Sequence, residues 1–400
     1  MLKVFQAAGL CAAVMLAAPV AAQDQPFEQW RDGFTAELAA DGVSPDIITS
    51  MFEGVTPDER IIDRDRSQPE FVRPVWVYLD SAVSETRIAN GRSSQSAHLA
   101  TLAAIEERFG VDRHTLTAIW GLESAYGEIQ GNFDIVRALA TLAWEGRRRG
   151  FAESQLSAVA DMLARGYATR DGLRGSWAGA MGQTQFIPTT YMARAVDFDG
   201  DGRRDIWNNE GDALGSAANL LAREGWRSGE PAVTGVALPD GFDYASWNER
   251  RAQPVSEWAR IGVRRADGSD WSADDLMRSA RLILPAGAAG PGFLTFHNFG
   301  VIRRYNNSTS YALGVAYLAE ALANGERLPE SWPDDNPPIT RSQTRALQEA
   351  LLALGYDPGG ADGISGPNTR RALKAFQTDR GLPADGYTGE QAYAAVMAAR

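Results

Sequence analysis

Glu123 is the carboxylate best placed in this sequence to move a proton. Leu116, Ile119 and Trp120 form an apolar stripe at helical spacing, and Glu123 continues it three, four and seven residues on. The carboxyl is therefore expected on the apolar side of a helix running from Thr115 to Gly127, with the glycine as its stop. Partial desolvation disfavours the charged form and raises a Glu pKa toward the working pH, as a general acid requires. Ser124 and Tyr126 supply hydrogen bonds beside it. The plainer alternative is a carboxylate in a fraying last turn, paired with one of the many arginines.

Two further stretches carry groups suited to sugars. In Ser176-Trp177-Ala178-Gly179-Ala180-Met181-Gly182-Gln183-Thr184-Gln185-Phe186-Ile187-Pro188, small residues allow close backbone approach, while Trp177, Gln185 and Phe186 offer stacking and amide hydrogen bonding. A tight packing segment would read the same way. Arg304-Tyr305-Asn306-Asn307-Ser308, followed by Tyr311, is either a second set of polar and aromatic contacts or an ordinary capped helix start.

A candidate metal site follows. Asp197, Asp199, Asp201, Gly202 and Asp205 fall on positions 1, 3, 5, 6 and 9 of an EF-hand loop, with Arg203 offering its carbonyl at position 7. Carboxylates at alternate residues converge only if a cation offsets their repulsion, and oxygen ligands suit calcium. Position 12 is Asn208 where the pattern has Glu, and the alternative is an acidic turn neutralised by Arg203 and Arg204. The expectation is a possible structural Ca²⁺, with no cofactor for the chemistry.

The elements that must position these groups are mostly helical. Phe27, Trp30, Phe34 and Leu38 define one apolar helix face, and further helical runs cover roughly 94–108, 113–126, 153–165, 212–224 and 309–323, with Gly110, Gly127 and Gly225 as stops. Between Gly225 and Gly300 the chain turns Gly- and Pro-rich, with short alternating stretches at Arg260–Arg264 and Leu282–Leu284. That predicts a small β-containing insertion, about 226–299. Four prolines mark 328–339 as an extended linker. In the final module, 340–400, Asp362-Gly363-Ile364-Ser365-Gly366 recurs as Asp385-Gly386-Tyr387-Thr388-Gly389, and helix stripes at Leu347, Leu351, Leu354 and at Ala372, Leu373, Phe376 predict three small helices.

Composition excludes several classes. The 400 residues carry 39 Lys plus Arg against 51 Asp plus Glu, a formal charge of −12, so a phosphate-tracking nucleic-acid binder is not expected. Lys3, an apolar run from Val4 to Val20 and small residues to Ala22 read as a cleaved secretory signal over 1–22, too short to span a membrane. Its removal takes the only cysteine, Cys11, so a mature chain free in an oxidising compartment, such as a periplasm, has no disulfide. His98, His114 and His297 are the only histidines and lack zinc-ligand spacing, and no Gly-x-Ser-x-Gly elbow exists for a serine hydrolase.

Residues 340–400 resemble the peptidoglycan-binding domain of bacterial cell-wall enzymes through Leu347-Gln348, Leu354-Gly355-Tyr356, Asp362-Gly363, Gly366-Pro367, Thr369, Ala372 and Phe376-Gln377. From Phe27 to Ala323 the chain resembles the membrane-bound-lytic-transglycosylase-B-like family, through Trp120-Gly121-Leu122-Glu123-Ser124, Gly179 to Pro188, Asp197 to Trp207, Pro285-Ala286-Gly287 and Arg304-Tyr305-Asn306.

The resemblance implies a mainly α (α+β) fold: a lysozyme-like helical core over 23–327 containing the insertion, then the linker and a three-helix wall-binding module. It implies cleavage of the β-1,4 bond between N-acetylmuramic acid and N-acetylglucosamine without water, leaving 1,6-anhydromuramic ends. Glu123 would act first as acid and then as base on the muramic C6 hydroxyl. A hydrolytic muramidase or an inactive wall-binding scaffold are the alternatives.

Carried over position by position, Ser176, Gln185, Phe186, Tyr305, Asn306 and Tyr311 line the sugar cleft, and Asp212 closes the calcium loop, its other role being a helix N-cap. Leu220 stands where a family tyrosine approaches the cleft. The partners implied are peptidoglycan glycan strands, with no nucleic acid and no membrane span. Given the acidic charge, retention is expected through sugar contacts.

Overall fold

The computed structural model describes residues 25–66, 73–325 and 332–400. The expected signal over 1–22 and residues 328–331 of the expected linker lie outside them. Among the described residues no helix is long and apolar enough to cross a membrane. The chain divides into two compact units, Met1–Gln68 with Glu85–Ser228, and Pro69–Ser84 with Gly229–Arg400.

The first unit is helical because its apolar residues recur at helical spacing. Phe27, Trp30, Phe34 and Leu38 all bury on the Phe27–Ala40 helix, where Trp30 stacks on Phe34 with centroids 5.7 Å apart. Each large side chain so buried contributes about 1.5–3 kcal/mol. The Ile135–Glu145 helix is apolar nearly all round and buries accordingly. It ends at Gly146, whose φ of 97° lets the chain turn into the Arg149–Ala164 helix packed against it.

The run expected over 94–108 is two helices, Glu85–Ala97 and Leu99–Phe109, closed by left-handed Gly110. A two-stranded pair, β1 (Phe133–Asp134) and β2 (Arg174–Gly175), braces the loop that follows.

The second unit contains the expected sheet. Its strands are β3 (Val233–Ala237), β4 (Gln253–Pro254), β5 (Arg264–Arg265), β6 (Ser279–Ile283) and β7 (Gly292–Thr295), in the order β4-β6-β7-β3-β5 and antiparallel throughout. Val236, Leu282 and Leu294 pack from this sheet against Trp258 and Val263.

The alternation at Arg260–Arg264 reaches a strand only at its last residue, where β5 begins. The Val255–Arg260 helix runs into it, and Gly262, at φ 93°, closes that helix so that Val263 bonds back to Trp258. A helix over Val75–Ala82 packs on the Thr309–Ala323 helix.

The last module has three helices, Arg341–Ala353, Pro367–Asp379 and Glu390–Ala398, around Leu347, Leu351, Leu373 and Phe376. Residues 332–339 are held in place: Trp332 stacks on Trp76 and Phe293. Pro338 bridges Gly389, and the Ile339 amide donates to the Thr388 carbonyl.

Candidate active site

Asp112 starts the helix that carries Glu123. Its carboxylate accepts from the Thr115 backbone N–H at 2.7 Å and from the Thr115 hydroxyl at 2.8 Å. Leu116, Ile119 and Trp120 bury, and Glu123 lies half-buried one residue from the end of the Arg113–Ser124 helix.

The helix stops earlier than the position of Gly127 predicts. Ala125 and Tyr126 take left-handed φ values of 51° and 64°, which non-glycine residues adopt at a cost of about 1–3 kcal/mol each. Tertiary bonds offset that cost. The Ser124 hydroxyl donates to the Gln183 carbonyl at 2.6 Å and accepts from the Gly127 N–H at 2.9 Å.

Tyr126 is fixed independently. Its hydroxyl donates to the Arg87 carbonyl at 2.7 Å, and its ring lies so close that a Cβ on Gly121 would sit 2.6 Å from it. Burial pushes the Tyr126 hydroxyl up to about 12, so it stays protonated and a donor at physiological pH.

Across from this helix end lies the Ser176–Phe186 loop, in the same unit. The Ser176 hydroxyl oxygen accepts from the Ala178 and Ala180 N–H groups, at 3.3 and 2.9 Å, and so folds the loop's entry turn. Gly182, at φ 70°, admits the Ile206 carbonyl so closely that a Cβ would sit 2.6 Å from it.

That approach buries Gln183, only 2% exposed, against the helix. Trp120 Nε1–H donates to Gln183 Oε1 at 2.9 Å, and Gln183 Nε2 donates to the Trp207 carbonyl at 3.2 Å. Gln185, itself left-handed at φ 50°, donates to the Gln130 and Gly182 carbonyls. Gln130 in turn donates to the Gly127 and Trp207 carbonyls, at 3.1 and 2.9 Å.

Amide bonds thus join the end of the Glu123 helix to the loop that carries Ser176 and Gln185, and Phe186 is buried within that loop. Of the connecting amides, Gln183 lies in the quoted stretch without being singled out and Gln130 is absent from the sequence reading; the signal available was a second glutamine two residues before Gln185. Bonds at Trp120, Ser124 and Gly127 hold this helix end against fraying.

Tyr305, Asn306 and Tyr311 lie in the second unit. Tyr305 stacks on the buried Tyr311 with centroids 6.5 Å apart and planes 10° from parallel, and Asn306 is exposed just after the His297–Tyr305 helix. Ser308 caps the next helix by accepting from the Tyr311 N–H at 3.2 Å. Leu220 is buried.

In the acidic loop, oxygens of Asp197, Asp199 and Asp212 come within 4.8 Å of one another. Asp201 instead accepts from the Arg203 N–H at 2.8 Å and stands outside that group. Asn209, not Asp212, caps the Glu210–Arg223 helix. Asp212 is fully buried and accepts from the Phe198 and Asp205 N–H groups, at 2.7 Å each.

Burial raises the Asp212 pKa, and the nearby Asp199 and Asp197 charges add to that rise. The hydrogen bond from the Asn209 amide, first among its causes, holds Asp199 low. An oxygen-only donor set with a buried carboxylate fits a hard cation such as calcium.

Comparisons with known proteins identify relatives of this chain. Residues 26–320 match the family model described as the transglycosylase SLT domain, and residues 340–396 match a peptidoglycan binding domain. Membrane-bound lytic murein transglycosylase B of Escherichia coli (strain K12) is 29% identical over 255 residues, 62% of this chain and 67% of that protein.

The crystal structure of SltB3 from Pseudomonas aeruginosa in complex with NAG-NAM-pentapeptide is 46% identical and superposes with a TM-score of 0.90, covering 93% of this chain and all of that one. Escherichia coli Slt35 in complex with calcium is 25% identical, covers 76% of this chain and 94% of that one, and has a TM-score of 0.65.

Proposed function

Since the chain belongs to the transglycosylase SLT family and ends in a peptidoglycan binding domain, we propose that it uses Glu123 to cut peptidoglycan between N-acetylmuramic acid and N-acetylglucosamine in the periplasm. The enzyme is a peptidoglycan lytic transglycosylase. The observation that carries the assignment to Glu123 is the helix end itself: a half-buried carboxylate beside Ser124, whose hydroxyl is locked to Gln183.

In the first step the protonated carboxyl gives its proton to the glycosidic oxygen as that bond breaks. In the second the carboxylate takes the proton of the muramic C6 hydroxyl as its oxygen bonds to C1. The proton returns to where it began, so one carboxyl serves both steps, where a glycosidase working through water needs two. Ser176, Gln185 and Phe186 are proposed sugar-cleft residues on the ground of the resemblance. Tyr305, Asn306 and Tyr311 are proposed sugar contacts on the ground of the resemblance.

Mass spectrometry of digested muropeptides tests the reaction. Products one water lighter than the hydrolytic ones are expected, and products of hydrolytic mass overturn the reading in favour of a muramidase.

Asp197, Asp199 and Asp212 are proposed to hold a structural calcium, with the Arg203 carbonyl and Asp201 as outer contributors. Bound there, calcium would neutralise the converging carboxylates and tie the loop to the Glu210–Arg223 helix through Asp212. At a hundredfold excess of calcium over Kd, about 2.7 kcal/mol of stabilisation is expected, a Tm rise of roughly 5–10 °C. Asp199→Asn, at an exposed position, should abolish that rise. Scanning calorimetry with no calcium-dependent shift removes the site.

A further inference from the structure

The helix that carries Glu123 is splinted by a neighbour bonded to it at both ends. The Glu85–Ala97 helix packs along the Arg113–Ser124 helix within the first unit. Near the start of the catalytic helix, the Gln95 side-chain amide bonds His114 Nδ1 at 3.0 Å. At its finish Arg87 takes over, and it does so twice. The Arg87 guanidinium donates from Nη1 to the Gly121 carbonyl at 3.0 Å, and the Arg87 backbone carbonyl accepts the Tyr126 hydroxyl at 2.7 Å. One residue thereby holds the turn on both sides of Glu123, two positions before it and three after.

The turn requires a tertiary hold. The last carbonyls of a helix lack the N–H groups of a following turn, and here the chain leaves through two left-handed residues that are not glycine. The Gly121 carbonyl receives the Ala125 N–H at 3.2 Å, so the Arg87 N–H is the shorter of these two bonds. A cation on a C-terminal carbonyl also opposes the negative end of the helix dipole.

Gly121 makes the arrangement possible. The Tyr126 ring occupies the place of its missing side chain, and any Cβ there would push the ring away from the Arg87 carbonyl. The Arg87 charge is felt at this hydroxyl as well, where it opposes the larger upward effect of burial on the Tyr126 pKa.

We propose that Arg87 is a positioning residue for the reaction: its guanidinium and its carbonyl together fix the turn that aims the Glu123 carboxyl. This rests on the reading of Glu123 as the acid and base. Arginine suits the place because its planar fork directs an N–H at a carbonyl, where lysine offers a hydrated point charge. The two ends of the splint have different duties. The Gln95–His114 bond joins the helices at the end remote in sequence from Glu123, and the Arg87 bonds set the end that carries it.

Arg87→Ala tests this, because it removes the guanidinium and keeps the carbonyl that Tyr126 uses. A displacement on the order of 1 Å near reacting groups costs about 10²-fold, and the Ser124 bonds remain to limit the shift. For anhydro-product formation from soluble muropeptides, kcat should therefore fall about tenfold with KM little changed. Methylguanidinium at millimolar concentration should restore most of that loss in Arg87→Ala and none of the loss in Glu123→Gln. Gln95→Ala, at the other end of the splint, should lower Tm and keep kcat.

Tyr126→Phe deletes only the hydroxyl and should lose kcat to a similar extent; it decides the matter if Arg87→Ala does not fold. Full kcat in either folded variant overturns the proposal, as does a loss in Arg87→Ala that methylguanidinium leaves in place. An equal loss in Gln95→Ala overturns it too, since the whole splint would then be scaffold. If the unsubstituted chain yields products of hydrolytic mass while these kcat losses and the rescue occur, the reaction assignment fails and the positioning role stands.

Discussion

Glu123→Gln is expected to lower anhydro-product formation by about 10³-fold or more, since a single general acid–base group contributes about 10²–10⁴-fold and this one serves in both steps. The amide matches the carboxyl in shape but neither gives a proton to a leaving oxygen nor takes one from the C6 hydroxyl. The loss should fall on kcat with KM little changed, because the substituted group acts in the transition state and sugar contacts remain.

The helix end should survive the substitution. The bonds that set the helix end run through Trp120, Ser124 and Gln183, none of which the substitution alters. A calorimetric scan and a steady-state assay on soluble muropeptides separate the readings. Unchanged Tm with lost turnover supports an acid–base role. Lost Tm with retained turnover would make Glu123 a structural ion-pair member instead.

The helix that carries Glu123 was legible because Leu116, Ile119 and Trp120 fall at helical spacing, although the fold buries every residue from Thr115 to Gly121. Its end was not: the left-handed turn at Ala125 and Tyr126 is held by the Ser124 bond to Gln183, 59 positions along the chain, and by the Tyr126 bond to Arg87, 39 positions away. The Ser176–Phe186 loop has no period, so residue type alone singled out Gln185 and Phe186. Backbone approach at Gly182 instead turns Gln183 inward, and Phe186 is buried within the loop.

Asp212 resembles an N-cap in sequence, yet Asn209 takes that role and frees the carboxylate for the loop. The prolines before the last module predict extended chain, but among the described residues the stretch turns at Asp334 and Asp335. An extended strand is also an edge to pair with, and Pro338 and Ile339 do pair, with Gly389 and Thr388.

Gln183→Leu should be the most damaging substitution outside the reacting carboxyl. Leucine conserves much of the volume but removes the acceptor for the buried Trp120 indole N–H and the donor to the Trp207 carbonyl. Each polar group so stranded costs about 1–3 kcal/mol, so a total of roughly 2–5 kcal/mol is expected, with a clear fall in Tm.

Activity should fall beyond what unfolding explains. Ser124 still donates to the backbone carbonyl at position 183, but without the side-chain bonds the loop no longer sits against Trp120, three residues from Glu123. A displacement on the order of 1 Å near reacting groups costs about 10²-fold. Assayed well below its Tm, the variant should therefore show kcat reduced about 10²-fold with a smaller change in KM. Gln183→Met, equally apolar and more flexible, should behave alike, since the missing element is the amide and not the packing. Full turnover in either variant at a lowered Tm would reduce Gln183 to a stabilising contact, and the frame that aims Glu123 would have to be sought in Ser124 and Tyr126 alone.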